Sequence, residues 1–193
     1  MIKGLLVVVD RNDKVLGYKT KTECHQGKGL LHRAFSIFVF NHQRELLLQK
    51  RSQKKLLWPG IWSNTCCSHP EKGEVIKKAA EKRLKEELGF SCPLRFLGKL
   101  RYEIDDQGRG SENEVTHIFV GQYHGRVKPD ENEVSAIQWI SLGRLKENLK
   151  NKPEEYTPWL RLLIEKYSRK LGKLGDPEKS DKSEILIRRS RTD

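Results

Sequence analysis

The stretch NTCCSHPEKGE, residues 64–74, sets two adjacent thiols beside an imidazole. In an extended backbone alternate residues face the same side. Cys67 and His69 then share one face, and Cys66 and Ser68 the other. That parity makes the pair two residues with separate tasks rather than a two-sulfur metal site. Two further imidazoles, His25 and His32, lie in CHQGKGLLH. The carboxylates Glu112 and Glu114 alternate in ENEV, so a strand there would aim both at one side, where like charges repel unless a cation lies between them. A divalent ion meets that need. Three imidazoles with two carboxylates suit a borderline metal such as Mn²⁺ or Zn²⁺, and Mg²⁺ also fits the oxygens. His42, His117 and His124 join no such pattern and are read as surface or core residues.

These groups need elements to position them. GLLVVVD, RNDK and VLGYKT read as strand, turn and strand, and HRAFSIFVFN, HQR and ELLLQKR repeat the pattern. In EVIKKAAEKRLKEELGF, Ile76, Ala80, Leu84 and Leu88 recur every four residues, the spacing of a helix face. Glu74 suits the start of that helix and Gly89 its C-terminal cap. LRFLGKLRYEI and ENEVTHIFVGQYHG read as strands around a DDQGRGS loop, and AIQWI as a short strand before a helix at SLGRLKENLK. TPWLRLLIEKYSRKL reads as a further amphipathic helix with Pro158 in its first turn. The fold class is α+β, a mixed and mainly antiparallel sheet with flanking helices. Residues 1–174 form the domain, and the polar, basic stretch 175–193 reads as a mobile tail. No internal repeat is evident.

Composition narrows the partners. No apolar run approaches the about 18 residues that span a bilayer. MIKGLLVVVD is followed at once by charge and lacks the features of a signal peptide, so a cytoplasmic location without stable membrane insertion is expected. The net charge of +12 fits nucleic-acid binding, capture of a small polyanion, or a solvated basic surface, and the last accounts for most of the 38 Lys and Arg residues. LLLQKRSQKKLLWPG is more specific, because it concentrates Lys50, Arg51, Lys54 and Lys55 beside apolar residues. Four cysteines, two of them adjacent, are expected as free thiols.

The helix from Glu74 to Phe90 resembles the Nudix box, in which carboxylates on one helix face hold divalent metals against a diphosphate. The spacing from Glu74 to the ending EELGF fits, whereas Ser68 stands at the Gly position, Lys82 at the Arg position and Arg83 at the first Glu of the paired block. Arg83 and Glu87, one turn apart, can face the same cavity. Glu87 would hold a metal on a diphosphate whose oxygens Arg83 binds directly; the plain alternative is a surface ion pair. With LHRAFS at 31–36, LLLQKRSQKKLLWPGIWSNTCCSHP at 46–70, EELG at 86–89, ENEV at 112–115 and TPWL at 157–160, the chain resembles the type I isopentenyl-diphosphate isomerases, over about residues 3–170.

That resemblance implies a Nudix-like fold and an enzyme of isoprenoid biosynthesis that converts isopentenyl diphosphate to dimethylallyl diphosphate. It implies metal ligation by His25, His32, His69, Glu112 and Glu114, and a second Mg²⁺ site at Glu87. It implies a diphosphate clamp of Lys21, Arg51, Lys55 and Arg83, with Ser68 and Trp159 also binding substrate, and catalysis by Cys67, Glu114 and Tyr102. The expected cofactors are Mg²⁺ and a second divalent ion (Mn²⁺, Zn²⁺ or Mg²⁺), without a redox cofactor. The expected partner is a small-molecule diphosphate rather than nucleic acid, bound by a monomer. A Nudix-type diphosphate hydrolase is the alternative, and Arg83 speaks against it.

Overall fold

The computed structural model describes residues 4–174. In chain order its elements are β1 (Leu5–Val9), β2 (Val15–Thr20), α1 (Lys21–His25), β3 (His32–Phe40), β4 (Glu45–Arg51), β5 (Trp62–Ser63), β6 (Cys66–Ser68), α2 (Ile76–Leu88), β7 (Arg95–Asp105), β8 (Ser111–Gln122), β9 (Val134–Ser141), α3 (Leu142–Asn151) and α4 (Pro158–Leu174), with a 3-10 turn at Pro153–Glu155. The nine strands form one mixed sheet in which β3 meets β1, β4, β6 and β8. Among the described residues β3 and β8 pair in parallel and the other named pairings are antiparallel, as expected for the α+β class.

Strand alternation divides the core in two. Phe38 and Phe40 of β3 and Ile118 and Val120 of β8 face α3 and α4, where Leu145, Leu160, Leu163, Ile164 and Leu171 complete one apolar layer. Phe35, Ile37, Val39 and Phe119 point the other way and pack on Ala79, Ala80, Leu84 and Leu88 of α2. The four-residue recurrence in α2 is therefore its buried stripe. Toward the start of β3 and β8 the positions facing α3 and α4 turn polar, and there His32, Ser36, Glu114 and Thr116 are buried.

Glu74 stands at the start of α2 as read, directly before the N-cap Val75, which has no side-chain cap, and its carboxylate accepts from the Glu71 amide at 2.9 Å. Gly89 ends the helix in the left-handed conformation, at φ 74°. One detail differs from the sequence reading: α1, too short for a visible period. Thr20 and Glu23 nucleate it through a capping box, each side chain bonding the other residue's backbone amide. Gly110 lets the backbone before β8 close on α1, since a Cβ there would sit 2.7 Å from the His25 carbonyl oxygen. None of the described helices is long and apolar enough to cross a membrane. The tail at 175–193 lies outside the described residues.

Leu84 is fully buried between α2 and the sheet. Leu84→Ala should lower unfolding stability by about 3 kcal/mol, measured by urea denaturation, through lost transfer energy and the cavity left behind. A loss below about 1 kcal/mol would contradict this packing.

Candidate active site

The parallel register of β3 with β8 sets His32 opposite Glu114. α1 brings His25 and the residue after β6 is His69, so all five candidate ligands meet at one wall. Their donor atoms lie within 4.8 Å of one another. His69 Nε2 is 2.8 Å from Glu114 Oε1, His32 Nε2 is 3.8 Å from the same oxygen, and His25 Nε2 is 3.0 Å from Glu112 Oε2. The three rings crowd together with centroids 4.7–4.9 Å apart.

Several features show that the cluster fits a cation. The Nδ1 atoms of His25 and His32 lie 2.7 Å from the carbonyls of Lys21 and Leu30. With Nδ1–H donating there, the neutral form of each ring presents an Nε2 lone pair to the cluster. His32 Nε2 is buried with no hydrogen-bond partner, and the buried His25 Nε2 and Glu112 Oε2 lie 3.0 Å apart without good hydrogen-bond geometry, an arrangement that costs free energy until something electropositive is supplied. Burial, reinforced by neighbouring imidazoles, pushes His32 down to about 3 and His69 well below the usual histidine range. Both rings are therefore neutral. His25 is the exception: burial lowers its pKa, but the Glu112 carboxylate and the Lys21 carbonyl more than offset it. Burial also raises Glu114, against the hydrogen bonds it accepts. Five side chains could thus hold a metal ion.

Beside this cluster, β7 pairs with β8 so that Tyr102 lies opposite Glu114, and the phenol donates to Glu114 Oε2. Burial lifts the Tyr102 phenol well above its ordinary value, so it stays a donor. Cys67 comes from β6, opposite Ser36 of β3. Its S–H donates to Asn64 Oδ1 at 3.0 Å, and Ser36 Oγ is 3.4 Å away. Asn64 is oriented for this, because its Nδ2 donates to the carbonyls of Ile37 and Cys66 at 3.1 Å. Burial pushes the Cys67 thiol up to about 12, so it is held protonated. Cys66 points to the opposite face, into the α2 layer, as the parity argument requires. Ser68 is paired with Phe35, whose side faces α2, and it also lines the cavity, which reaches Arg83 of α2. All four cysteines are free.

A cavity of about 410 Å³ opens on these groups and is also lined by Lys21, Arg51, Lys55, Arg83 and Trp159. Arg51 donates to the carbonyls of Leu57 and Trp58, and its guanidinium carbon lies 5.3 Å from the centre of the Trp159 ring. Trp159 Nε1 donates to Ser63 Oγ at 3.0 Å, which fixes the indole. Glu87 stands apart from the five-donor cluster. It is 1% exposed, and its carboxylate accepts from Arg83 at 2.5 Å and from Gln49 at 3.1 Å.

Sequence reasoning missed Ser36, Asn64, Gln49 and Glu133. Asn64 lies inside the quoted cysteine stretch, but an amide there carries no spacing signal. Glu133 had a clearer one, because the tetrapeptide ENEV at 112–115 recurs at 131–134. The second copy begins in a turn and sends the Glu133 carboxylate to Lys55 and Arg83.

With this geometry in view, the comparisons with known proteins are consistent. The NUDIX domain family matches residues 30–161. An isopentenyl-diphosphate delta-isomerase 2 of Photorhabdus laumondii is 41% identical over 160 residues, covering 83% of this chain and 90% of that protein. The isopentenyl-diphosphate delta-isomerase of Burkholderia multivorans is 43% identical over 161 residues, covering 83% and 91%. That of Schizosaccharomyces pombe is 37% identical, covering 86% and 82%. In three dimensions the chain is similar to a crystal structure of a Deinococcus radiodurans protein, with a TM-score of 0.70 at 18% identity, covering 83% of this chain and 97% of that one. It is also similar to a MutT protein of Methanosarcina mazei, with a TM-score of 0.61 at 19% identity, covering 72% and 94%. These two likenesses show the fold. The chain belongs to the Nudix family and, within it, to the isopentenyl-diphosphate delta-isomerases.

The Glu133 ion pairs carry a pH prediction. Burial raises the Glu133 pKa, but hydrogen bonds from Lys55 and Arg83 outweigh it and hold the carboxyl at about 2 against an ordinary 4.5. A pKa depressed on folding adds stability above the unfolded value and loses it as pH falls from about 4.5 to about 2. Urea denaturation across that window should show a shallower acid loss for Glu133→Gln than for the wild type. Parallel profiles would contradict the pairing.

Proposed function

We propose that the chain interconverts isopentenyl diphosphate and dimethylallyl diphosphate by moving a carbon–carbon double bond one position. The observation that supports this best is the placement of two proton-carrying groups, Cys67 and the Tyr102–Glu114 pair, in one cavity whose rim is basic. Cys67 stands on β6 and Glu114 on β8 with β3 between them, so they approach a bound molecule from different directions. A proton is added to the alkene at one side, which leaves a tertiary carbocation, and a proton leaves the neighbouring allylic carbon toward the other. The two roles exchange when the reaction runs in reverse. The indole of Trp159 offers a π face to the developing positive charge. Burial of Glu114 and Tyr102 limits water on that side of the cavity, where water would trap the cation.

His25, His32, His69, Glu112 and Glu114 would hold one divalent ion (Mn²⁺, Zn²⁺ or Mg²⁺), and Glu87 would join a Mg²⁺ that accompanies the diphosphate. When bound, these ions neutralise the clustered carboxylates and the phosphate oxygens. No redox cofactor enters the balance, because hydrogen is moved only as protons. Lys21, Arg51, Lys55 and Arg83 clamp the diphosphate, with Ser68 at the cavity wall. A diphosphate hydrolase is the weaker reading, because Arg83 replaces a carboxylate and occupies Glu87. A cytoplasmic monomer that binds no nucleic acid, built as a domain at 1–174 with a tail, completes the proposal.

Incubation with isopentenyl diphosphate and Mg²⁺ in D₂O, followed by NMR, should show loss of the vinyl signal, growth of the dimethylallyl isomer and deuterium uptake. Release of phosphate or pyrophosphate without isomerisation would sink the proposal. Cys67→Ala should lower kcat by about 10³-fold or more, the scale of a lost acid–base group. Cys66→Ala should keep most of the activity, and a dead Cys66→Ala beside an active Cys67→Ala would reverse the assignment.

A further inference from the structure

Four cations are assigned to one diphosphate, yet two of them already share an anion. The turn before β9 is tied down by its backbone: the Ser52 amide donates to the Glu133 carbonyl at 3.0 Å, and the Glu133 amide to Asp130 at 2.9 Å. From this anchored position the Glu133 carboxylate takes one hydrogen bond from Lys55 Nζ and another from Arg83 at 3.2 Å. Glu133, Lys55 and Arg83 all line the cavity. Their side chains are 27%, 19% and 27% exposed, so solvent screens the bridge only in part. Arg51, in contrast, is tied to backbone carbonyls, which carry no net charge.

A carboxylate bridging a lysine and an arginine presents anionic acceptor oxygens to both cations, as a phosphoryl group set between them would. We propose that Glu133 is an internal competitor for the anion clamp, bridging Lys55 and Arg83 until an entering diphosphate takes both cations from it. This rests on the diphosphate-clamp reading and adds a threshold to it. Every anion must displace the same carboxylate, so Glu133 weakens all of them by a common factor. A diphosphate, with two charged groups to spread over four cations, retains useful affinity after that loss. A monophosphate or a simple carboxylate exchanges one bridging anion for another and gains little. The same competition speeds release, because the clamp is never left as bare, partly buried positive charge.

The test is calorimetric titration of inorganic pyrophosphate, and separately inorganic phosphate, into the full chain at fixed ionic strength. Wild type, Glu133→Gln and Arg83→Ala are compared. Pyrophosphate should bind Glu133→Gln about fivefold more tightly than wild type, the upper end of what a partly exposed ion pair contributes. Phosphate should tighten by a similar factor, and Arg83→Ala should weaken both. A misfolded variant would lose affinity rather than gain it, so tightening cannot arise from damage. If wild type binds pyrophosphate, Arg83→Ala weakens it, and Glu133→Gln leaves it unchanged or weaker, the clamp stands and the competitor role is overturned. If neither wild type nor Glu133→Gln binds pyrophosphate, the clamp reading falls and takes this inference with it.

Discussion

Glu112 and Glu114 stand on one face of β8, within reach of three imidazoles and largely out of water. Such a cluster is unfavourable unless its charges are matched, and the surrounding structure is arranged to hold it in place all the same. The β3–β8 register puts His32 against Glu114, the β7–β8 register puts Tyr102 on the other flank, and the β3–β6 register carries His69. A one-residue slip of β8 would turn both carboxylates toward the α2 side of the sheet. The long run of apolar partners further along β3 and β8 is what forbids that slip, since Ile118 and Phe119 would exchange faces with them.

The same alternation accounts for the division of labour at the thiols. Cys66 belongs to the layer that packs α2, and burial keeps it inert. Cys67 belongs to the layer that turns polar, where Asn64 and Ser36 receive it. Arg83 carries the cavity wall onto α2 itself. In that position a cation stands where the Nudix box has a carboxylate, and it both occupies Glu87 and faces the cavity. A cation at that position would suit a diphosphate that is to be held intact.

What the sequence disclosed follows from which signals are periodic. The α2 stripe, the strands and the ENEV carboxylates were legible because burial imposes a period of about four or two residues. Cys67 and His69 were separable from Cys66 by parity. The five-residue helix carrying Lys21 and His25 was not legible, because a capping box rather than a period builds it. Gln49 and Ser36 were missed for a related reason: each acts through a hydrogen bond to a residue distant in the chain, whereas Asn64 accepts from Cys67 three residues on and an amide there has no periodic signature. Glu74 stands at the helix start as read, directly before the N-cap, and its carboxylate takes the Glu71 amide.

The central claim is that His25, His32, His69, Glu112 and Glu114 form one metal centre in which Cys67 takes no part. X-ray absorption at the zinc edge, on protein loaded with one equivalent of Zn²⁺, tests it most directly. The expected spectrum has a shell of nitrogen and oxygen at about 2.0–2.2 Å with the multiple scattering of several imidazoles and no sulfur. A sulfur shell at about 2.3 Å, or a shell without imidazole scattering, would contradict it.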